Sequence, residues 1–215
     1  MDRVSFTFSG IKVIIEEPED PSQLFDDLLA KGDDHPDVID ERIPYWSQIW
    51  PSSIALSEYI AENPDLVNGK DILEIGCGPG LAGITAGLCN ARVELTDYMQ
   101  EAIDLAAHNW KLNIASPPKT SLFDWRYPGD KKAEVVIASD VAYESRAFEP
   151  LLNAFKSILS ANGIILLSEP NRNFSSTFFE ALKKNGFTFS QTDKNVEKDG
   201  IKYVISIYVI RKTRN

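Results

Sequence analysis

Five acidic residues stand where short apolar runs end: Glu74, Asp97, Asp124, Asp140 and Glu169. Carboxylates so placed can accept hydrogen bonds from sugar hydroxyls or draw in a cation, although turns favour Asp on their own account. The sharpest grouping is Glu74-Ile75-Gly76-Cys77-Gly78-Pro79-Gly80-Leu81, with Asp97 following. Glycines permit a tight bend and let a ligand approach the backbone. A helix starting at Leu81 would offer free N–H groups and a positive dipole end to an anion. Gly78, Gly80 and Gly83 also fit the GxGxxG spacing of dinucleotide sites, with Asp97 at a distance suited to two ribose hydroxyls. Two ligands fit this spacing, a nicotinamide dinucleotide and S-adenosylmethionine. The second brings a carboxylate for the helix end, an ammonium for an acid such as Glu74 and ribose hydroxyls for Asp97. An acid directly before the glycines would repel a pyrophosphate. No Lys, Tyr or His constellation for hydride chemistry follows the loop.

The elements that must hold these residues can be read from periodicity. Val4 to Phe8 and Ile11 to Ile15, joined at Ser9-Gly10, predict a hairpin. A short helix is expected over Leu24 to Leu29, then a loop. Pro44-Tyr45-Trp46-Ser47-Gln48-Ile49-Trp50-Pro51 cannot be a central strand, because its prolines lack a donor. Ser52 or Ser53 is expected to cap a helix running through Ile60. Strands are predicted at 71–75, 92–96, 120–123, 134–138 and 164–168. Helices are predicted at 81–88, 100–112, 147–159 and 175–184. Phe148, Leu151, Leu152, Phe155, Ile158 and Leu159 mark one apolar helix face, with a stop at Asn162-Gly163. Two late strands, 187–192 and 202–210, flank a charged turn. Such alternation implies an α/β fold: a Rossmann-like, seven-stranded, mostly parallel sheet with an antiparallel C-terminal strand and helices on both faces. Residues 1–65 are expected to form a small N-terminal extension and 66–215 the ligand-binding core.

Composition narrows the partners. The chain has 215 residues, is 43% hydrophobic and 25% charged, and carries a net charge of −10, which works against general nucleic-acid binding. No apolar run is long enough to span a bilayer, and the acidic start lacks the pattern of a secretory signal. A cytoplasmic location is the expectation. Two cysteines, Cys77 and Cys89, are too few for a disulfide framework, and the spacing of His35 and His108 suggests no metal site. The Asn173-Phe174-Ser175 sequon carries no meaning without secretion. The acidic stretch 20–41 reads as a solvated face or as an attractor for a basic protein surface.

Glu74-x-Gly76-x-Gly78-x-Gly80 with Asp97 resembles the first motif of the class I, seven-β-strand methyltransferases, over roughly residues 70 to 210. Pro44-Tyr45-Trp46 with Ile49-Trp50-Pro51-Ser52, Phe123-Asp124-Trp125 and Ser139-Asp140-Val141-Ala142-Tyr143-Glu144 resemble motifs of a narrower family. That family comprises the protein-lysine methyltransferases related to those of the electron-transfer flavoprotein β-subunit and calmodulin, with their DxxY signature. Enzymes of the NPPY type would carry Asn-Pro-Pro-Tyr where this chain has Asp-Val-Ala-Tyr. The resemblance implies S-adenosylmethionine as cofactor and a protein lysine as acceptor. Gly76, Gly78 and Gly80 would back the methionine part, with Glu74 near it. Asp97 would hold the ribose, with Tyr98 beside the adenine. Asp124 and Trp125 would bound the adenine, and Ser139 would lie in the same pocket. Trp50 would pack from the N-terminal side. Asp140 and Tyr143 would shape the acceptor channel, and Glu169-Pro170-Asn171-Arg172 occupies a place where relatives also carry Pro and Arg.

Such a transfer is an in-line displacement, so alignment of a neutral nucleophile carries much of the catalysis. A free lysine is neutral to only about four parts in ten thousand at pH 7, and a narrow, partly apolar pocket raises that fraction. Asp140 is expected to orient the amine and Tyr143 to face it. Other readings stay open at this point: Tyr45 and Trp46 as a hydrophobic plug, a small-molecule N- or O-methyltransferase, a nicotinamide-dependent oxidoreductase, and a silent cofactor-binding module.

Overall fold

The computed structural model describes residues 1–172 and 175–213, so Asn173 and Phe174 of the sequon lie outside the described residues. One sheet holds β3 (Asp71–Ile75), β4 (Arg92–Asp97), β5 (Lys119–Leu122), β6 (Ala133–Ser139), β7 (Leu159–Glu169), β8 (Phe187–Lys198) and β9 (Ile201–Lys212). Their spatial order is β5-β4-β3-β6-β7-β9-β8. The first five run parallel, and β9 is antiparallel to both of its neighbours, β7 and β8. The mostly parallel sheet with an antiparallel C-terminal strand is therefore the one the sequence pattern predicts. After β3 the chain winds first through β4 and β5 and then returns to β6 on the other side. The switch point thus lies between the ends of β3 and β6, where open α/β sheets bind ligands.

Burial on both faces explains the apolar runs. In β6, Val135 and Ile137 join one apolar cluster while Val136 and Ala138 join the other. The first cluster is completed by α3 (Pro51–Glu62), α4 (Leu81–Leu88) and α5 (Gln100–Asn113). The second is completed by α6 (Phe148–Ile158) and α7 (Ser175–Lys184). The hairpin of β1 (Asp2–Phe8) and β2 (Ile11–Glu17) forms a separate two-stranded sheet. Its Phe8, Val13 and Ile15 pack into the first cluster. The side-chain amides of α5 finish the edge of β2. Asn113 accepts from Ile14 N (2.8 Å) and donates to Ile14 O (2.7 Å), and Asn109 does the same for Glu16 N (2.8 Å) and Glu16 O (3.1 Å). An edge paired this way is not free to take another strand.

Three local expectations change. Trp50, not a serine, is the N-cap of α3, because Pro51 fills the first helical position without needing a donor. Ser53 instead donates to Trp50 O at 2.8 Å. The predicted 147–159 helix stops at Ile158, and Asn162-Gly163 lies inside β7 rather than at a helix stop. There a register irregularity between Ala133 and Val135 accommodates the extra length of β7. The short helix α1 runs over Pro21–Leu29, capped by Asp20, and α2 over Pro36–Ile39. No helix of the described residues is long and apolar enough to cross a membrane.

Candidate active site

A cavity of about 400 Å³ opens above the switch point. Its lining comes from four places: the loop after β3, the end of β4 with Tyr98, the 139–144 turn after β6, and the 43–53 segment before α3. Trp125 and Arg172 complete it.

The glycine loop forms because its residues take conformations that side chains resist. Gly76 and Gly78 have φ of +62° and +48°. A Cβ on Gly78 would come within 3.3 Å of the Trp46 carbonyl oxygen, and one on Gly76 within 3.2 Å of Val141 and 3.5 Å of Trp125. These glycines therefore let the 46 and 125 segments close on the loop. Gly80, at φ +86°, is the N-cap of α4. Asp97 holds the loop from below: its carboxylate accepts from Gly78 N and Met99 N, both at 3.1 Å. Burial pushes its pKa up to about 6, against those backbone donors.

Glu74 behaves differently from the expectation. It is fully buried behind the loop, where it accepts from Gly83 N at 3.1 Å, and it is not among the cavity-lining residues. Burial first, then the charge of Asp97, push its pKa up to about 8, opposed by the Gly83 donor. Its carboxyl thus faces α4 rather than the cavity. Cys77 lies fully buried in the loop, where burial pushes its thiol well above the usual range.

The opposite wall carries the DxxY residues. Asp140 has φ of +54°, and its backbone N–H donates to Ser168 O at 2.9 Å, which fixes the turn after β6. Arg172 grips both its carboxylate oxygens, through Nη1 on Oδ1 and through Nη2 on Oδ2 at 3.1 Å. Arg172 is held in turn by Glu169, whose Oε1 accepts from Arg172 N at 2.6 Å and from Ser175 Oγ. Tyr143 meets Tyr45 edge-on at 5.7 Å, and Tyr45 meets Trp50 edge-on at 5.8 Å. Trp50 Nε1 donates to Tyr45 O at 2.8 Å. Burial raises the Tyr143 phenol to about 12, so it is neutral and hydrogen-bonding at physiological pH.

Of the expected site residues, Trp50, Gly76, Gly78, Asp97, Tyr98, Trp125, Ser139, Asp140 and Tyr143 line one cavity. Gly80 shapes the loop from its helix end. Asp124 does not join them. It pairs with Arg126 (2.8 Å from Nε to Oδ2) and borders a neighbouring depression. Tyr45 and Trp46 also line the cavity. Arg172 as the partner of Asp140 was not legible, because 32 positions separate the two. Among the described residues no group of three or more His, Cys, Asp or Glu side chains is arranged to hold a metal.

Comparison with known proteins agrees with this geometry. The histidine protein methyltransferase 1 homolog of Dictyostelium discoideum is 28% identical over 203 residues, covering 89% of this chain and 64% of the relative. The electron transfer flavoprotein beta subunit lysine methyltransferase of Rattus norvegicus is 29% identical over 131 residues, covering 60% of this chain and 51% of the relative. This chain thus spans about half to two thirds of the length of these curated relatives. Magnesium protoporphyrin IX methyltransferase of Synechocystis PCC 6803, solved with bound SAM, shares the fold at a TM-score of 0.61 and 17% identity, covering 92% of this chain and 100% of that one. The sequence model of a family described as lysine methyltransferase matches residues 44–185. Because that match runs from the aromatic segment through the glycine loop to the end of α7, over more than half of the chain, this protein belongs to the lysine methyltransferase family.

Proposed function

We propose that this protein transfers a methyl group from S-adenosylmethionine to a protein nitrogen, with the lysine side-chain amine as the acceptor. The single observation that carries the reading is one cavity with two chemically different walls. The glycine loop with Asp97 makes one wall, and Asp140, Tyr143, Tyr45 and Trp50 make the other.

The residues present fit the cofactor. Gly76 and Gly78 leave backbone exposed where side chains would intrude. Asp97 accepts from Gly78 N through Oδ2 and from Met99 N through Oδ1, and a carboxylate has further acceptor capacity for ribose hydroxyls. Tyr98 and Trp125 offer faces for a purine. Ser139 Oγ is buried without a partner at the same wall. When bound, the cofactor supplies an electrophilic methyl on a positively charged sulfur.

The chain's own residues then prepare the nucleophile. Asp140 is aimed by its turn and by Arg172, and each of its oxygens keeps a lone pair for an amine N–H. Arg172 nearly cancels the Asp140 charge, so the channel does not strongly favour an ammonium over an amine. Tyr143 offers a neutral hydroxyl and a ring face. The rings of Tyr45, Trp50 and Tyr143 border the acceptor side of the cavity, and the departing proton goes to solvent.

Titration calorimetry with S-adenosylhomocysteine and with NAD tests the cofactor half: binding of the first and none of the second is expected. Labelled S-adenosylmethionine added to lysate of the source cell tests the acceptor half. Label recovered as methylated lysine in a protein band supports the reading. Label confined to small molecules overturns the protein acceptor.

A further inference from the structure

We propose that Asp40 and Glu41, which no motif singles out, are positioning residues of the cofactor pocket: their ion pairs with Arg126 and Arg146 latch the 43–46 segment over the glycine loop and set how fast a bound nucleoside leaves. The inference rests on the proposed function, since the ligand it concerns is the cofactor.

Three consecutive residues each grip a different strand-end loop. Asp40 takes both terminal nitrogens of Arg126, at 2.7 and 3.1 Å. Glu41 pairs with Arg146 at 2.6 Å. The Arg42 guanidinium lies 5.8 Å from the centre of the Tyr98 ring. Each loop residue is itself braced, Arg126 by Asp124 at 2.7 Å and Arg146 by Glu144. Directly after these residues come Ile43, Tyr45 and Trp46, all of which line the cavity.

Little else restrains the chain on the N-terminal side of that wall. Helix α1 buries only Leu28, and α2 buries nothing. Phe25, Leu29 and Ile39 are exposed. On the other side Ser47 and Ile49 are buried in the core. The wall is therefore fixed at its C-terminal end by packing and at its N-terminal end by charge. Backbone shape supports the same assignment. Glu41 is held at φ +49°, and Ile43 N and Tyr45 N donate two residues back at 2.7 Å each, a compact fold that presents residues 40–42 to the loops.

Isolated surface pairs contribute little, but here two pairs and a ring contact restrain one short segment together. S-adenosylhomocysteine is a zwitterion, and any salt effect on its own contacts is common to the unaltered chain and to a variant lacking the latch, so the difference between them reads the latch. The test is release of labelled S-adenosylhomocysteine into excess unlabelled compound, at about 20 mM and about 500 mM NaCl. For the unaltered chain, release is expected to quicken on the order of tenfold with salt. The double variant Asp40→Asn/Glu41→Gln should release fast at low salt and respond little to more. Glu41→Arg alone, which opposes two cations, should release fast, and adding Arg146→Glu should slow release again and return part of its salt sensitivity, which a merely structural role would not predict. Unfolding midpoints of the ligand-free proteins identify any variant that has lost its fold. Salt-independent release from the unaltered chain overturns the latch, as does a well-folded double variant releasing at the unaltered rate. Absence of binding by the unaltered chain overturns the cofactor reading itself, and the latch with it.

Discussion

Glu74 makes a quantitative case for the energetics under the glycine loop. Its carboxyl is fully buried, has one donor at Gly83 N, and titrates near 8 instead of 4.5. An acid whose folded pKa exceeds its unfolded value holds more protons when folded. Its favourable contribution is therefore complete below about pH 4.5 and declines as the pH rises toward about 8. Between about pH 5 and about pH 7 the two pKa values imply a loss of about 2.5 kcal/mol, a large share of the stability of an ordinary domain. Glu74→Gln removes the titration while its amide oxygen can still accept from Gly83 N. It also removes the charge that the carboxyl would develop near Asp97 as the pH approaches about 8. Urea unfolding of both proteins across this pH range is the assay. The unaltered chain should lose stability more steeply than the variant, with the gap opening by about 2 kcal/mol toward pH 7. Other titrating groups are common to both and largely cancel. Parallel curves would refute the reasoning, because they would mean that Glu74 finds a charged partner or water in the fold.

Asp140→Ala should abolish methyl transfer while leaving S-adenosylhomocysteine affinity within a few-fold, checked by single-turnover assay and calorimetry on one preparation. The affinity for S-adenosylhomocysteine should weaken as the pH falls below about 6, where Asp97 takes up a proton and loses an acceptor site, and Asp97→Asn should flatten that dependence in calorimetry. Asn109→Ala should lower stability by about 2–4 kcal/mol in urea unfolding, because the fully buried amide serves Glu16 N, Glu16 O and Pro79 O and would leave them unpaired.

The parts of this site that could be read from sequence are those held by local chain geometry. A Gly-rich bend between an apolar run and an apolar helix admits few backbone solutions, so Gly76, Gly78 and the start of α4 follow from spacing alone. Asp97 follows because β4 must pair with β3, as Ile75 does with Thr96. What sequence could not show is which way a carboxylate faces once its strand ends. Glu74, inside β3 rather than beyond it, turns toward α4. Asp124 finds Arg126 two positions on. Asp140 finds Arg172 beyond the end of the neighbouring strand. Glu169 turns inward to Arg172 N and Ser175 Oγ. Five similar acids thus take up different tasks, because the nearest donor differs at each strand end. The acidic stretch 20–41 divides: Asp26, Asp27, Asp33 and Asp34 are exposed, as a solvated face would be, whereas Asp40 and Glu41 also pair with arginines about 86 and 105 positions away in the chain, and no periodicity records such a pairing.

The cavity is composite, and that bears on acceptor choice. One wall comes from the switch point of the sheet, where the Rossmann-like arrangement itself dictates a bend, a helix N-terminus and an acid on the next strand. The other comes from residues 43–50 and 139–144, which the sheet does not dictate and which the Tyr45–Tyr143 contact joins, with the Glu41–Arg146 pair beside it. In this chain the second wall pairs its acid with an arginine, and Tyr45, Trp50 and Tyr143 line the same cavity. Under the proposed function, such a pair rewards an arriving charge less than a lone carboxylate would, and a neutral nitrogen can still donate to Asp140. Acceptor selectivity should therefore change with Tyr45, Asp140, Tyr143 and Arg172, while the cofactor half of the site stays as it is.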